Sequence, residues 1–195
     1  MTAIFGPHEK PYREWLRATA VGSLGGSMDS RNIADYYHTP YDIGYGRLVN
    51  SDHDFVGRKA LEEFAAHPRR SKVTLVWSVD DVMSAMRSHY EDDVPAKYIE
   101  IPKARYAYFQ VDKILYGNEY AGMSTDVGYI KNEHSFISLA SIDVALSTPG
   151  TKVTVLWGEE PNSAKPGVEP HRQVEIRATV APIPYARVIR ESYRK

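Results

Sequence analysis

The sequence predicts an α+β protein that is mainly β. An antiparallel β-barrel covers residues 72–195, and a partial α/β segment over residues 1–71 precedes it. Two observations carry that reading. From residue 72 onward the chain is a succession of short β-rich stretches separated by turn residues, the spacing of a sandwich or barrel. Before residue 72 the texture differs: helices, one strand and loops, with too little hydrophobic patterning for a core of their own. "HPRRS", residues 67–71, marks the change.

The elements follow in order. Residues 11–16 suggest one short helix. "ATAVGSLGGSMDSRN" reads as loop, with Gly22, Gly25 and Gly26. Ser30 offers a cap for a brief helix reaching residue 37, and Pro40 ends it by forcing the preceding residue out of helical geometry. Residues 41–49 read as a strand interrupted by glycines, and "NSDHD" as a turn. Asp54 offers a cap for a helix over residues 55–66, in which Phe55, Val56, Ala60, Leu61 and Phe64 approximate one apolar stripe. In the second region, "KVTLVWS", "YAYFQVD", "YAGMSTDVGYI", "FISLASIDV", "KVTVLWG" and "EIRATVAPIPY" are the expected strands. "VDDVMSAMRSHY" is a helix between the first of them. "GEEPNSAKPGVEPHRQ" is a long polar loop.

Composition narrows the function classes. The 195 residues are 43% hydrophobic and 25% charged, with a net charge of −1. That is ordinary globular composition, long enough to bury a core unaided. No basic arm for nucleic acid is present. Without cysteine there is no thiolate nucleophile, disulfide or thiolate-bound metal, which fits a cytoplasmic protein. The first residues lack a signal-peptide pattern, and no apolar run approaches the ~20 residues of a membrane helix. The histidines, at 8, 38, 53, 67, 89, 134 and 171, never pair at metal spacing, so no metal is expected. Neither phosphate-binding glycine motif nor a nucleophile elbow occurs. Tyrosine is abundant at 14 copies; its flat apolar face and polar tip suit a binding surface, and equally a sheet face.

"TPYDIGYGRLVNSDHDFVGRKALEEF", residues 39–64, resembles a segment of the glycine-cleavage T-protein family: Thr-Pro-x-Glu-x-Gly-Leu followed by Asp-Phe-x-Gly-Arg-x-Ala-Leu. "YAGMSTDVGY" and "ISLASIDVALSTPGTKVTVLWGEE" resemble its C-terminal barrel. "YREWL", "DYYHTPYDIGYG", "VTLVWSVDDV" and "AKPGVEPHRQVEIRATV" are similar to the branch of tetrahydrofolate-dependent O-demethylases acting on methoxylated aromatic acids such as vanillate and syringate. The resemblance runs over nearly the whole chain. It implies a tetrahydrofolate-dependent methyltransferase or aminomethyltransferase, of which this chain is the C-terminal part, expected to be inactive alone. A separate N-terminal subunit or a second copy of the chain is the partner it implies, and folate and an aromatic acid are the small molecules.

The same resemblance nominates residues. Asp42 stands where the family has a glutamate that clamps the pterin ring. A carboxylate accepts two adjacent ring N–H groups side by side, although aspartate is one methylene shorter; a plain turn acid is the alternative. Tyr37, Tyr41 and Tyr45, with Tyr36 beside them, could stack on a ring, or pack in core or sheet. On a strand Tyr41 and Tyr45 share a face. Arg58, in the family's Phe-x-Gly-Arg, could pair with a folate carboxylate or with Asp52 or Asp54. Arg69 and Arg70 are alternative anchors. Tyr185 follows Pro184 as an aromatic does in the family. "GMSTDVG", residues 122–128, resembles a family hairpin that lies near the cofactor, and its two glycines and two hydroxyls read equally as a plain tight turn. A non-catalytic folate-binding or structural module, or an aminomethyltransferase of glycine cleavage, remains the alternative function.

Overall fold

The computed structural model describes residues 23–30, 32–101, 108–160 and 168–193; the helix expected over 11–16 lies outside them. Seven strands form one sheet: β1 (Ser23–Gly25), β2 (Arg70–Trp77), β3 (Tyr108–Tyr116), β4 (Glu119–Ile130), β5 (Ser135–Asp143), β6 (Lys152–Trp157) and β7 (Val174–Ala181). The order is β1-β3-β4-β5-β2-β7-β6, and β3 also pairs with β6. That last pairing closes β3-β4-β5-β2-β7-β6 into a six-stranded antiparallel barrel. The expected mainly-β fold is present, and each strand expected from residue 72 onward has its counterpart among the described residues. β1 lies outside the ring, parallel to β3.

Alternation fills the barrel. Val73, Leu75 and Trp77 of β2 point inward, with Val153, Val155 and Trp157 of β6 and Ile176, Ala178 and Val180 of β7. Ile114, Ala121, Ala140 and Ile142 complete the lining. The two tryptophans meet edge to face at 5.5 Å. Both satisfy their indole N–H, which burial demands: Trp77 donates to Ser138 Oγ at 3.0 Å and Trp157 to the Lys97 carbonyl at 2.8 Å.

Three helices flank the sheet among the described residues: α1 (Arg58–Ala66), α2 (Val79–Arg87) and α3 (Arg187–Glu191). Ser78 caps α2, accepting from the Asp81 N–H, and Val82 and Ala85 join the barrel core. Asp81 is not a solvated acid. It accepts both arms of the Arg177 fork, at 2.6 and 2.8 Å, and the Arg177 backbone N–H. Those bonds hold its carboxyl below the usual range and tie α2 to β7.

Five local expectations need correction. The stretch read as loop before residue 32 contains β1, Ser23–Gly25, paired with β3. Residues 41–49 are not a strand. Gly44 sits at φ +79°, which a strand excludes; the chain turns there, with Tyr45 N–H donating to Pro40 O at 2.7 Å, and then forms a short 3₁₀ turn, Gly46–Leu48. Tyr41 and Tyr45 therefore share no strand face. α1 begins at Arg58 rather than residue 55, because Gly57 at φ +92° precedes it, and Asp54 caps nothing there. The brief helix is a 3₁₀ turn, Ile33–Tyr36, capped by Asn32 rather than Ser30. Finally, residues 122–128 are no tight turn. They lie within β4, with a bulge between Thr125 and Gly128; the chain reverses at Gly117 and Asn118.

Candidate functional site

Between residues 32 and 66 one residue alone is buried, and it is a carboxylate: Asp42. Local chemistry puts it there. Its Oδ2 accepts the Thr39 N–H at 2.8 Å, while Thr39 Oγ1 accepts the Asp42 N–H at 3.3 Å. This reciprocal pairing caps a turn as a capping box caps a helix. The turn-acid reading and the pocket reading therefore both describe it, since Asp42 also lines a cavity of about 360 Å³.

Tyr37, His38, Thr39, Phe64, Arg69 and Arg70 line the same cavity. The loop after Pro40 supplies the acid; the entry to β2 supplies the cations. His38 is exposed at the rim of this cavity. Loss of hydration, then the charge of Arg70, holds its imidazole below the ordinary 6.5, against the pull of Asp42. The cavity thus combines two carboxylates, Asp35 and Asp42, with two guanidinium groups, the imidazoles of His38 and His67, and two aromatic rings. It can grip a flat molecule carrying N–H donors at one end and an anionic group at the other.

The other nominated residues are dispersed. Tyr45 is exposed beside a separate hollow with Gly44, Arg47 and Leu48, its ring 5.8 Å from Lys72 Nζ. Tyr41 packs over Gly46, where a Cβ would come within 2.6 Å of the ring. Arg58 pairs with Glu62 one turn along at 2.8 Å, rather than with Asp52 or Asp54, and is not among the cavity's lining. Tyr185 meets Ser135 Oγ at 3.3 Å, also away from the cavity.

A second polar centre escaped the sequence. Where β3 and β6 diverge, Lys97 Nζ donates to both Glu159 oxygens, at 2.9 and 3.0 Å, and to Gln110 Oε1 at 2.7 Å. Gln110 Nε2 donates to both oxygens of Asp112 at 2.9 Å. Burial pushes the Asp112 carboxyl up to about 6, although Gln110, the Ser27 N–H and Lys97 pull the other way. Burial also opposes charge on Glu159, yet the Gly26 N–H and Lys97 hold it below the usual range. His171 Nε2 accepts the Glu159 N–H at 2.9 Å. Nδ1 accordingly carries the proton toward Glu169 O, and the 3.2 Å approach of Nε2 to Glu159 Oε2 is a contact rather than an ion pair. One signal was legible: Asp112 has the inward parity of Ile114. Nothing in the loop around His171 hinted at the rest.

Among the described residues no three His, Cys, Asp or Glu side chains gather as metal ligands, and no helix is long and apolar enough to cross a membrane.

No protein-family model matches the chain. Over 97% of its length it is 44% identical to syringate O-demethylase from Sphingobium sp.. Over 84% it is 36% identical to sesamin methylene transferase from Sinomonas sp.. The chain spans 42% and 35% of those proteins' own lengths. Among solved structures, the glycine cleavage system aminomethyltransferase T from Bartonella henselae aligns with 76% of the chain and 32% of its own, at 16% identity and a TM-score of 0.49; that likeness is too loose to carry an argument about the site. By these two sequence relatives the chain is similar over most of its length to syringate O-demethylase and sesamin methylene transferase, consistent with the glycine-cleavage T-protein family.

Proposed function

We propose that this chain is the C-terminal portion of a tetrahydrofolate-dependent methyltransferase that O-demethylates methoxylated aromatic acids, and that the Asp42 cavity holds one side of the folate. One observation carries the reading: the single buried residue of an otherwise exposed stretch is a carboxylate lining a cavity with Tyr37, Arg69 and Arg70. The identity with syringate O-demethylase supports the reaction class.

The residues fit the group. About 360 Å³ is at the small end of ligand pockets, enough for a bicyclic ring but not a whole folate. Asp42 would accept paired ring N–H groups, its plane fixed by the Thr39 amide. Tyr37 would cover a ring face. Arg69 and Arg70 would meet the carboxylates of the glutamate tail. Bound there, reduced folate would supply the ring nitrogen that takes up the methyl group. The protein's own work is alignment of the two reactants, exclusion of water and a proton for the departing phenolic oxygen.

Because the chain spans 42% of syringate O-demethylase, we expect no turnover of vanillate or syringate by the chain alone. A folate-binding module serving a separate catalytic subunit is the second reading, favoured by the same fraction. Calorimetric titration with tetrahydrofolate, wild type against Asp42→Ala, tests the site: removing a charge-assisted pair should weaken binding by at least about tenfold. Equal binding by both would end the proposal for Asp42.

A further inference from the structure

The antiparallel register of β3 and β6 places Ile114 opposite Val155 and Leu115 opposite Thr154. The next pair along is Lys113 and Leu156, whose N–H and carbonyl should bond directly. They do not. Ser27 stands between them: Lys113 N–H donates to Ser27 Oγ at 2.8 Å, and Ser27 Oγ donates to Leu156 O at 2.6 Å. One hydroxyl, both donor and acceptor, replaces a rung of the ladder.

The neighbours of Ser27 are fixed as firmly. Its own N–H goes to Asp112 Oδ1 at 3.0 Å, Gly26 N–H to Glu159 Oε1 at 2.8 Å, and Met28 N–H to Val111 O at 3.1 Å. Gly26 lies at φ +95°, and a Cβ there would sit 2.2 Å from Val111 O, so only glycine lets the backbone approach this closely. Residues 25–28 are all buried. They form a strap wedged into the open seam of the barrel, and the partly buried Lys97–Glu159–Gln110–Asp112 network is the socket.

The strap leads to the candidate site. Tyr36 Oη accepts the Ser30 N–H at 2.7 Å and donates to Met28 O at 3.4 Å. It thereby binds the strap to the 3₁₀ turn that runs into Tyr37, His38 and Asp42. In a stretch where only Asp42 is buried, that turn has little other packing to fix it.

We propose that Ser27 is a positioning residue: by completing the β3–β6 seam it anchors the strap, and through Tyr36 the strap sets the place of the Asp42 cavity. The identity of the ligand rests on the function proposed above; the positioning does not.

Amide hydrogen exchange on the full 195-residue chain tests this without ligand. Ser27→Ala should speed exchange at the Thr39, Gly44 and Tyr45 amides by about tenfold or more, while β4–β5 ladder amides stay within about twofold. Ser27→Thr, which keeps the hydroxyl, should restore the wild-type pattern. Tyr36→Phe weakens the link beyond the seam, leaving the Ser30 hydroxyl bonded to Asp35 and to the Asn32 N–H, and serves if Ser27→Ala does not fold; it should loosen the same three amides. Unchanged loop exchange in whichever of the two alanine and phenylalanine variants folds would overturn the proposal, as would barrel and loop amides speeding together. If 5-formyltetrahydrofolate binds, Ser27→Ala should weaken it and Ser27→Thr should not. Absence of binding by the wild type would count against the folate reading alone, since the exchange data decide the positioning.

Discussion

The barrel and the stretch from 32 to 66 are built on opposite terms. In the barrel, inward positions are mostly apolar and buried, Asp112 and Ser138 being polar exceptions, and residues such as Leu75, Ile142 and Ile176 have no exposure at all. Neither α1 nor the 3₁₀ turns between residues 33 and 48 have a buried residue. Leu48 is 77% exposed and Val56 fully so. Stability therefore resides in one region, and the groups suited to binding in the other. Loops held on a rigid scaffold are the usual place for such chemistry. Here the loop keeps its geometry through side-chain bonds to its own backbone and a strap into the barrel.

Truncation should show this contrast most strongly. Leu75→Ala should cost about 3 kcal/mol or more in urea unfolding, through lost burial and a cavity. Val56→Ala should stay within about 0.5 kcal/mol. Comparable losses for the two would mean that the loops have a core the structure does not show.

The next effect concerns pH. Asp112 rises from 3.8 to about 6 on folding, so the folded chain holds its proton more tightly than the unfolded chain. That contribution is complete below 3.8 and fades as pH climbs through about 6. Relative to Asp112→Asn, the wild type should lose about 2 kcal/mol between pH 4 and pH 7. Urea midpoints across that range measure it; a flat difference would place Asp112 in contact with water. His38 works the other way, with its folded value below 6.5. Its contribution is complete above 6.5 and declines as pH falls below, so His38→Gln should lessen acid sensitivity there.

Asp42→Ala should separate the regions further. It removes the turn's cap, a loss of about 1 kcal/mol, yet should leave the barrel's near-ultraviolet circular dichroism unchanged while folate binding weakens. A collapse of the barrel signal would make Asp42 structural. The smallest effect is expected for Arg58→Ala. Its partner Glu62 lies one helical turn away and the cavity does not include it. Binding that weakens as much as in Asp42→Ala would return Arg58 to the site.

The sequence taken alone determined the barrel. Period-two alternation in "KVTVLWG" or "KVTLVWS" is a local pattern with one favourable way to bury it, and the amphipathic spacing of residues 79–87 fixed a helix just as locally. It also nominated Asp42 and Tyr37, through a resemblance rather than through periodicity. Only the tertiary structure decided the rest. Gly44 at positive φ turned an expected strand into turns, because torsion angles overrule composition where the chain bends. Ser27, Lys97, Glu159 and His171 lie far apart along the chain and meet because β3 and β6 part at one end. No spacing within any one segment encodes such a meeting; it exists once the sheet has closed, when buried polar groups must find whichever partners the closure brings within reach.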